Sequence, residues 1–318
     1  MKRMIAMALA VLLCVSALVG CVPVQDGKYV VGICQLVQHD ALDAATKGFK
    51  DALVDALGDK VVFDEQNASN DSNACATIIN SFVSKNVDLI MANATPALQA
   101  AVAGTATIPI LGTSVTEYGV ALEIKDFNGV PGGNVSGTSD LAPLDKQAQM
   151  ILDLFPGTKK VGLLYCSSEP NSQYQVKVVR EYLEGKGVEC KDFAFSDATD
   201  IAMFATSACE YSDVIYVPTD NTVASSTGII DGICRPAKVP VVAGEENICK
   251  GCGVATLSIS YYELGRKTGE MAARILKGEA DISTMAVEYD ENYKKKYNKE
   301  ICEELGISIP AGYEAITN

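Results

Sequence analysis

The chain has 318 residues, of which 48% are hydrophobic, and a formal net charge of −14. That length exceeds one modal domain and the apolar content can fill sizeable cores, so two lobes are expected. The acidic balance argues against a nucleic-acid partner and a polyphosphate ligand, because phosphate binding needs a basic surface.

Lys2 and Arg3 head the chain, Met4 to Leu18 is apolar and uncharged, and Leu18-Val19-Gly20-Cys21 follows. A cationic start, a short apolar middle and small residues before a cut mark a secretory signal rather than a spanning helix. Its ending resembles the bacterial lipobox, in which the Cys sulfur is acylated and the signal is removed before it. Residues 1–20 are therefore expected to be cleaved, with Cys21 carrying the lipid and 21–28 serving as a tether. Each buried CH₂ of an acyl chain stabilises attachment by about 0.8 kcal/mol. The mature protein is expected on the extracytoplasmic face of the cell membrane, anchored without crossing it.

Tyr29 to Leu36 is a continuous apolar run suited to a buried parallel strand. Asp40 to Leu57 carries Leu42, Ala45, Phe49, Leu53 and Leu57 at helical spacing. A strand at Lys60 to Asp64, a helix near Asp71 to Ser84, a strand at Val87 to Met91, a helix from Pro96 and a strand at Ile108 to Leu111 complete a first segment. Glycine-rich 129–137 reads as a loop leading to a crossing. A second segment repeats the theme. Its strands are Lys160 to Tyr165, Val188 to Phe193, Asp213 to Val217 and Val239 to Val242. Helices at Ser172 to Lys186, Asp200 to Cys209 and Thr222 to Cys234 alternate with them. A strand at Ala255 to Ser260, a helix at Tyr262 to Lys277 and a short strand at Met285 to Tyr289 follow. Lys294-Lys295-Lys296 reads as the solvated face of a closing helix.

Strand–helix alternation in two matching halves, with no Gly/Ser linker, predicts an α/β fold of two Rossmann-like, doubly wound lobes joined by hinge crossings. The expected lobes are 29–138 plus 257–283 and 139–256 plus 284–318. Of eleven cysteines, Cys14 leaves with the signal and Cys21 is acylated. The remaining odd count cannot all pair within one chain. Buried free thiols are expected, with a bridge between Cys249 and Cys252, or from Cys234 to either, as the alternative. The lone Cys249-Lys-Gly-Cys252 spacing has no partner pair for a zinc site, and no metal or cofactor is expected.

Ligands of open parallel sheets bind beyond the carboxyl ends of the strands, and the segments after these strands are polar. In the first half they hold Gln35, Gln38, His39 and Asp40, then Asn93 and Thr95, then Thr113, Ser114 and Thr116. The second half offers Ser168, Asn171 and Ser172, then Asp220 and Asn221, then Glu245. Hydroxyls and amides beside helix starts suit a carboxylate, and Asp220 and Glu245 suit an ammonium group. Together they fit a zwitterion such as an amino acid. Thr95, Ser172 and Asn221 are equally suited as N-caps. His39 lacks a nucleophile elbow around it and reads as an ordinary polar or capping residue. Neither a Walker loop nor a dinucleotide fingerprint follows the first strand.

Gly32-Ile33-Cys34-Gln35-Leu36-Val37-Gln38-His39-Asp40, Ala94-Thr95-Pro96-Ala97-Leu98, Asn134-Val135-Ser136-Gly137-Thr138, Pro218-Thr219-Asp220-Asn221-Thr222 and Gly244-Glu245-Glu246 carry a resemblance over nearly the whole mature chain. It resembles the tryptophan/tyrosine-type substrate-binding proteins of ABC importers, a branch of the type I periplasmic-binding fold. The resemblance implies closure of two lobes on the ligand and delivery to a permease with a cytoplasmic ATPase. Relatives often carry Val-Thr-Asp-Pro where this chain has Val115-Thr116-Glu117-Tyr118. Tyr118, with Tyr165 and Tyr174, is a candidate wall for an aromatic ligand. Thr95, Thr116 and the 113–114 pair are assigned the carboxylate and Asp220 the ammonium; Asp140 belongs either to the site or to the hinge. A monomeric transport receptor without catalysis is expected. A ligand presenter for a sensory kinase or chemoreceptor, and an extracytoplasmic enzyme using Cys34 or Cys166, are the alternatives.

Overall fold

The computed structural model describes residues 27–317, so the expected signal, the Cys21 anchor and most of the tether lie outside the described residues. In β1 (Tyr29–Gln35), Val31, Ile33 and Cys34 are fully enclosed, as a strand covered on both faces requires. The first half continues through α1 (Asp40–Leu57), β2 (Val61–Asn67), α2 (Ser72–Lys85), β3 (Leu89–Asn93), α3 (Thr95–Gly104), β4 (Ile110–Val115), the single turn α4 (Tyr118–Ala121) and β5 (Val135–Ser139). The second half runs α5 (Leu144–Leu154), β6 (Lys160–Cys166), α6 (Pro170–Glu184), β7 (Glu189–Phe195), α7 (Ile201–Tyr211), β8 (Val214–Val217), α8 (Asn221–Ala224), α9 (Thr227–Ala237), β9 (Val241–Ala243), α10 (Glu246–Cys252) and β10 (Ala255–Ser258). The chain closes with α11 (Tyr261–Leu276), β11 (Glu288–Tyr289), β12 (Lys294–Tyr297), α12 (Lys299–Leu305) and β13 (Glu314–Ala315).

One sheet is ordered β11-β5-β4-β3-β1-β2 and the other β13-β12-β10-β9-β8-β6-β7. Within each, five strands share the order 2-1-3-4-5 with parallel pairing, the doubly wound pattern with its switch point beside the first strand. The two sheets therefore form two Rossmann-like lobes, as the alternation predicts. Each lobe encloses its own apolar clusters on both sheet faces.

Three crossings join the lobes, the first one residue later than expected and the other two later by more. The boundary expected at 256–257 falls after Ser258, because Ala255–Ser258 pairs with β9 and β12 in the second sheet. The boundary expected at 283–284 falls after Tyr289, because Glu288 and Tyr289 pair with Thr138 and Ser139 in the first sheet. The first crossing follows Ser139, the end of β5.

Two local expectations are corrected. The stretch 129–137, expected as loop, ends in a fully buried strand, Val135–Ser139. Gly137 there has φ 146, and a Cβ on it would lie 2.1 Å from the Gly112 carbonyl oxygen. The lysine run lies on a strand, not a helix: Lys294, Lys295 and Lys296 pair antiparallel with Ser258, Leu257 and Thr256. Lys296 is held by Glu246 at 2.5 Å. α11 returns to the first lobe and lies against α1 so closely that a Cβ on Gly48 would sit 2.1 Å from the Tyr262 carbonyl oxygen. All nine cysteines of the described residues are free thiols, and none of those residues forms a helix long and apolar enough to cross a membrane.

Candidate functional site

The carboxyl ends of both sheets face each other across a narrow cavity. From the first lobe it is lined by His39, Ala41 and Leu42 at the start of α1, and by Ser114 and Thr116 after β4. From the second come Asn171 on α6, Thr219, Asp220, Asn221 and Ala224 around α8, and Glu245 before α10. Asp140 and Tyr261, on two of the crossings, complete it.

Local sequence explains each placement. The β4–β5 ladder shifts register between Gly112 and Val115, and Ser114 takes a left-handed backbone with φ 53. A bulge of this kind re-aims a side chain, and here it turns Ser114 Oγ to the cavity. His39 occupies the N-cap position of α1 but its side chain caps nothing. Its Nε2 lies 3.5 Å from Asn221 Oδ1 of the other lobe. Burial pushes the imidazole pKa below its ordinary value, against the opposing pull of Asn221 and nearby carboxylates, so the ring is neutral at neutral pH.

Three acids line the cavity, each with a different set of partners. Asp220 caps α8 through Val223 N–H at 2.9 Å and accepts from Cys166 N–H at 2.7 Å and Ser172 Oγ at 2.8 Å. Burial, with the nearby Glu169, nonetheless raises its pKa to about 8. Glu245 caps α10 through the N–H groups of Asn247 and Ile248, and burial raises it to about 8 as well. Asp140 accepts from the Tyr261 hydroxyl at 2.8 Å, and burial raises its pKa too, against the pull of Tyr261 and Thr116. Behind them, Glu169 organises the second-lobe wall. It accepts from the backbone N–H groups of Asn221 and Thr222 at 3.0 and 2.9 Å, from the Asn221 amide at 2.8 Å and from the Thr222 hydroxyl at 2.8 Å.

Buried polar atoms are almost always hydrogen-bonded. Among the described residues, seven such atoms have no protein partner, and four of them, His39 Nδ1, Ser114 Oγ, Asp140 Oδ1 and Asn171 Oδ1, belong to residues that line this cavity, whereas Asn93 Oδ1, Ser212 Oγ and Thr256 Oγ1 do not. Larger grooves exist, one along residues 258–296 and one near residue 316. Neither is lined by a residue with an unpartnered buried polar atom. No cluster of three or more metal-ligating side chains occurs among the described residues.

Of the residues singled out from sequence, His39, Ser114, Thr116, Asp140, Asn171, Asp220, Asn221 and Glu245 come together in the cavity. The others do not line it. Asn93 donates to the Leu42 carbonyl and Thr46, fastening α1 to β3. Thr95 is buried as the first residue of α3, and Thr113 faces Thr138 at 3.3 Å inside the first lobe. Ser172 supports Asp220 from behind. Gln38 and Ser168 are exposed on the outside of their lobes. Tyr118 is corrected most clearly: its ring is buried in the first-lobe core and its hydroxyl donates to the Thr138 carbonyl at 3.1 Å. Gly112 and Gly137 provide its slot, since a Cβ on either would lie within 2.4 Å of the phenol oxygen. Tyr165 and Tyr174 pack against the second-lobe core. Sequence reading missed Tyr261 as the aromatic of the cavity, along with the uncapped α1 terminus and the supporting role of Glu169. The one available signal was His39, a helix-start residue with a poor capping side chain.

The chain matches the family model of ABC transporter substrate binding proteins over residues 30–315. It is 37% identical over 296 residues to a tyrosine-binding protein of Clostridioides difficile, covering 88% of this chain and 85% of that one. A Streptococcus pneumoniae ABC domain in complex with L-Trp is 33% identical and superposes with a TM-score of 0.86, covering 91% of this chain and 100% of that one. The ligand-free, open structure of a Clostridium difficile substrate binding protein with adhesive properties is 37% identical with a TM-score of 0.70, over 91% and 99% of the two chains. Two doubly wound lobes around a polar cavity are the type I periplasmic-binding architecture, and the chain belongs to the ABC transporter substrate binding proteins.

Proposed function

We propose that this protein is the receptor of an ABC importer and closes its two lobes on a free amino acid, with an aromatic side chain preferred. One observation carries the reading: four unpartnered buried polar atoms, contributed by both lobes and a crossing, converge on a single cavity. Asp140 Oδ1 is the acceptor left open for the ammonium group, in place of the Asp220 expected from sequence, whose oxygens already accept three bonds. No lysine or arginine lines the cavity, so neutral donors hold the carboxylate. The uncapped start of the 18-residue α1 offers backbone N–H groups and the positive end of the helix dipole, with Ser114 Oγ beside it.

The relatives support an aromatic ligand. One is named for tyrosine and another holds L-Trp. This chain superposes better on the L-Trp complex than on the more similar open structure, 0.86 against 0.70, which fits a closed arrangement. The role is binding without turnover. Partnership with a permease and its ATPase, and anchoring through acylated Cys21 on the extracytoplasmic face of the membrane, complete the proposal. The signal-like Met1-to-Gly20 stretch and the Leu18-Val19-Gly20-Cys21 ending support the anchor. Calorimetry with a panel of amino acids tests the ligand: binding of tyrosine, phenylalanine or tryptophan is expected, and no amino acid binding tighter than about 1 mM would overturn it. Radiolabelled fatty-acid incorporation lost on Cys21→Ser tests the anchor.

A further inference from the structure

The free thiols of the described residues take no part in the cavity, yet two of them are placed for chemistry of their own. Cys209 lies in the last turn of α7 and Cys234 in the last turn of α9, and their sulfurs are 3.4 Å apart. A disulfide bond of roughly 2.05 Å requires the sulfurs to approach by only about 1.4 Å. Cys209 is partly exposed whereas Cys234 is buried. An oxidant therefore has access to one sulfur and the second waits behind it.

The other thiols differ in ways that matter. Cys34 and Cys75 are also neighbours in the first lobe, but both are wholly enclosed. Cys249 and Cys252 are buried on a single turn of α10, and Cys252 donates to the Ile248 carbonyl. Within the facing pair, Cys209 Sγ donates to Cys234 Sγ, and that contact with burial pushes the enclosed Cys234 thiol up. Cys209 is thus the accessible thiol of the pair, and on losing its proton it is the sulfur that attacks disulfides.

We propose that Cys209 and Cys234 form a reversible disulfide, tying α7 to α9, when the protein meets a disulfide oxidant, either a small-molecule disulfide or a thiol–disulfide oxidoreductase. The Cys209 thiolate attacks the oxidant's disulfide, forming a mixed disulfide and expelling one thiolate. The Cys234 sulfur then attacks Cys209 Sγ, forming the internal bond and expelling the second. Two electrons pass to the oxidant, which leaves as two thiols carrying the two protons. The bridge closes a segment that contains β8 and the Asp220–Ala224 wall of the cavity, so oxidation braces the second lobe.

The test treats the purified full-length protein with oxidised glutathione, blocks remaining thiols, and maps peptides without reduction. The expected result is a peptide joining Cys209 to Cys234, an intact mass lower by two hydrogens, and a Tm raised by about 5 °C. Dithiothreitol should reverse all three. Cys209→Ser should abolish the Tm rise, and Cys209→Ala serves as a second variant should the serine disturb folding; circular dichroism confirms that each is folded. A glutathione adduct on Cys209 with no internal bridge, a bridge between any other pair alone, or full retention of all thiols would overturn the proposal.

Discussion

Asp140 carries the sharpest prediction at the scale of one residue. Its Oδ2 accepts from Tyr261 while Oδ1 has no partner, whereas Asp220 and Glu245 both serve as helix caps. Asp140→Asn keeps an acceptor for Tyr261 and removes only the charge. Hydrogen bonds to charged groups contribute about 1.5–3 kcal/mol, so amino-acid affinity measured by calorimetry should fall by roughly 10- to 100-fold. Unchanged affinity would place the ammonium elsewhere. Glu245 yields a pH prediction. Its folded pKa of about 8 lies above the ordinary carboxylate value. Its protonated form therefore favours the folded state, and stability falls as pH rises from the ordinary carboxylate range toward 8. Glu245→Gln should flatten part of that decline in ligand-free Tm, leaving the share of Asp220, whose pKa is also raised to about 8. These roles were only partly legible. Sequence placed the acids at strand ends, but which oxygen is already occupied depends on N–H groups brought from other segments.

Elements with an apolar rhythm were read almost to the residue: α1 spans Asp40–Leu57 as its helical spacing predicts. β5 was not, because its Val-Ser-Gly-Thr-Ser sequence lacks the apolar run that announces a strand. It is a strand because β4 and β11 supply partners on both sides. The Thr222-to-Cys234 helix expected from sequence is two helices broken at Ser225 and Ser226, since Asp220 caps a first short turn before α9 begins. Packing of α1 on α11 gives an element-scale prediction. A Cβ on Gly48 or on Gly265 would lie 2.1 or 2.0 Å from a facing backbone oxygen, which no side-chain rotation can relieve. Gly48→Ala or Gly265→Ala should destabilise the first lobe by about 3 kcal/mol, read from urea denaturation. An equal midpoint for wild type and variant would mean the helices separate at no cost.

Across the whole molecule, few bonds join the lobes at the cavity. Asn70 Nδ2 donates to Thr222 Oγ1 at 3.2 Å, His39 faces Asn221 at 3.5 Å, and Lys250 pairs with Asp40 at 3.7 Å. Such exposed or partly buried contacts contribute little by themselves, so the ligand must supply most of the closing free energy through its differential affinity for the closed form. Solution scattering should show a smaller radius of gyration when the amino acid is added. Asn70→Ala, outside the cavity, should weaken binding by only a few-fold. A hundredfold loss would assign closure to that contact instead of the ligand.

By itself the sequence determined the two-lobe α/β architecture, because buried strands and amphipathic helices write their periodicity locally. It also determined which loops reach the sheet ends, since strand order follows from alternation. Sheet membership at the crossings, the slot that removes Tyr118 from the ligand wall, and the arrival of Tyr261 at Asp140 were decided by tertiary structure. Each depends on residues distant in sequence, from Ser258 opposite Lys294 to Tyr261 on Asp140, or on a glycine's missing Cβ beside a neighbouring strand, and no local pattern records either.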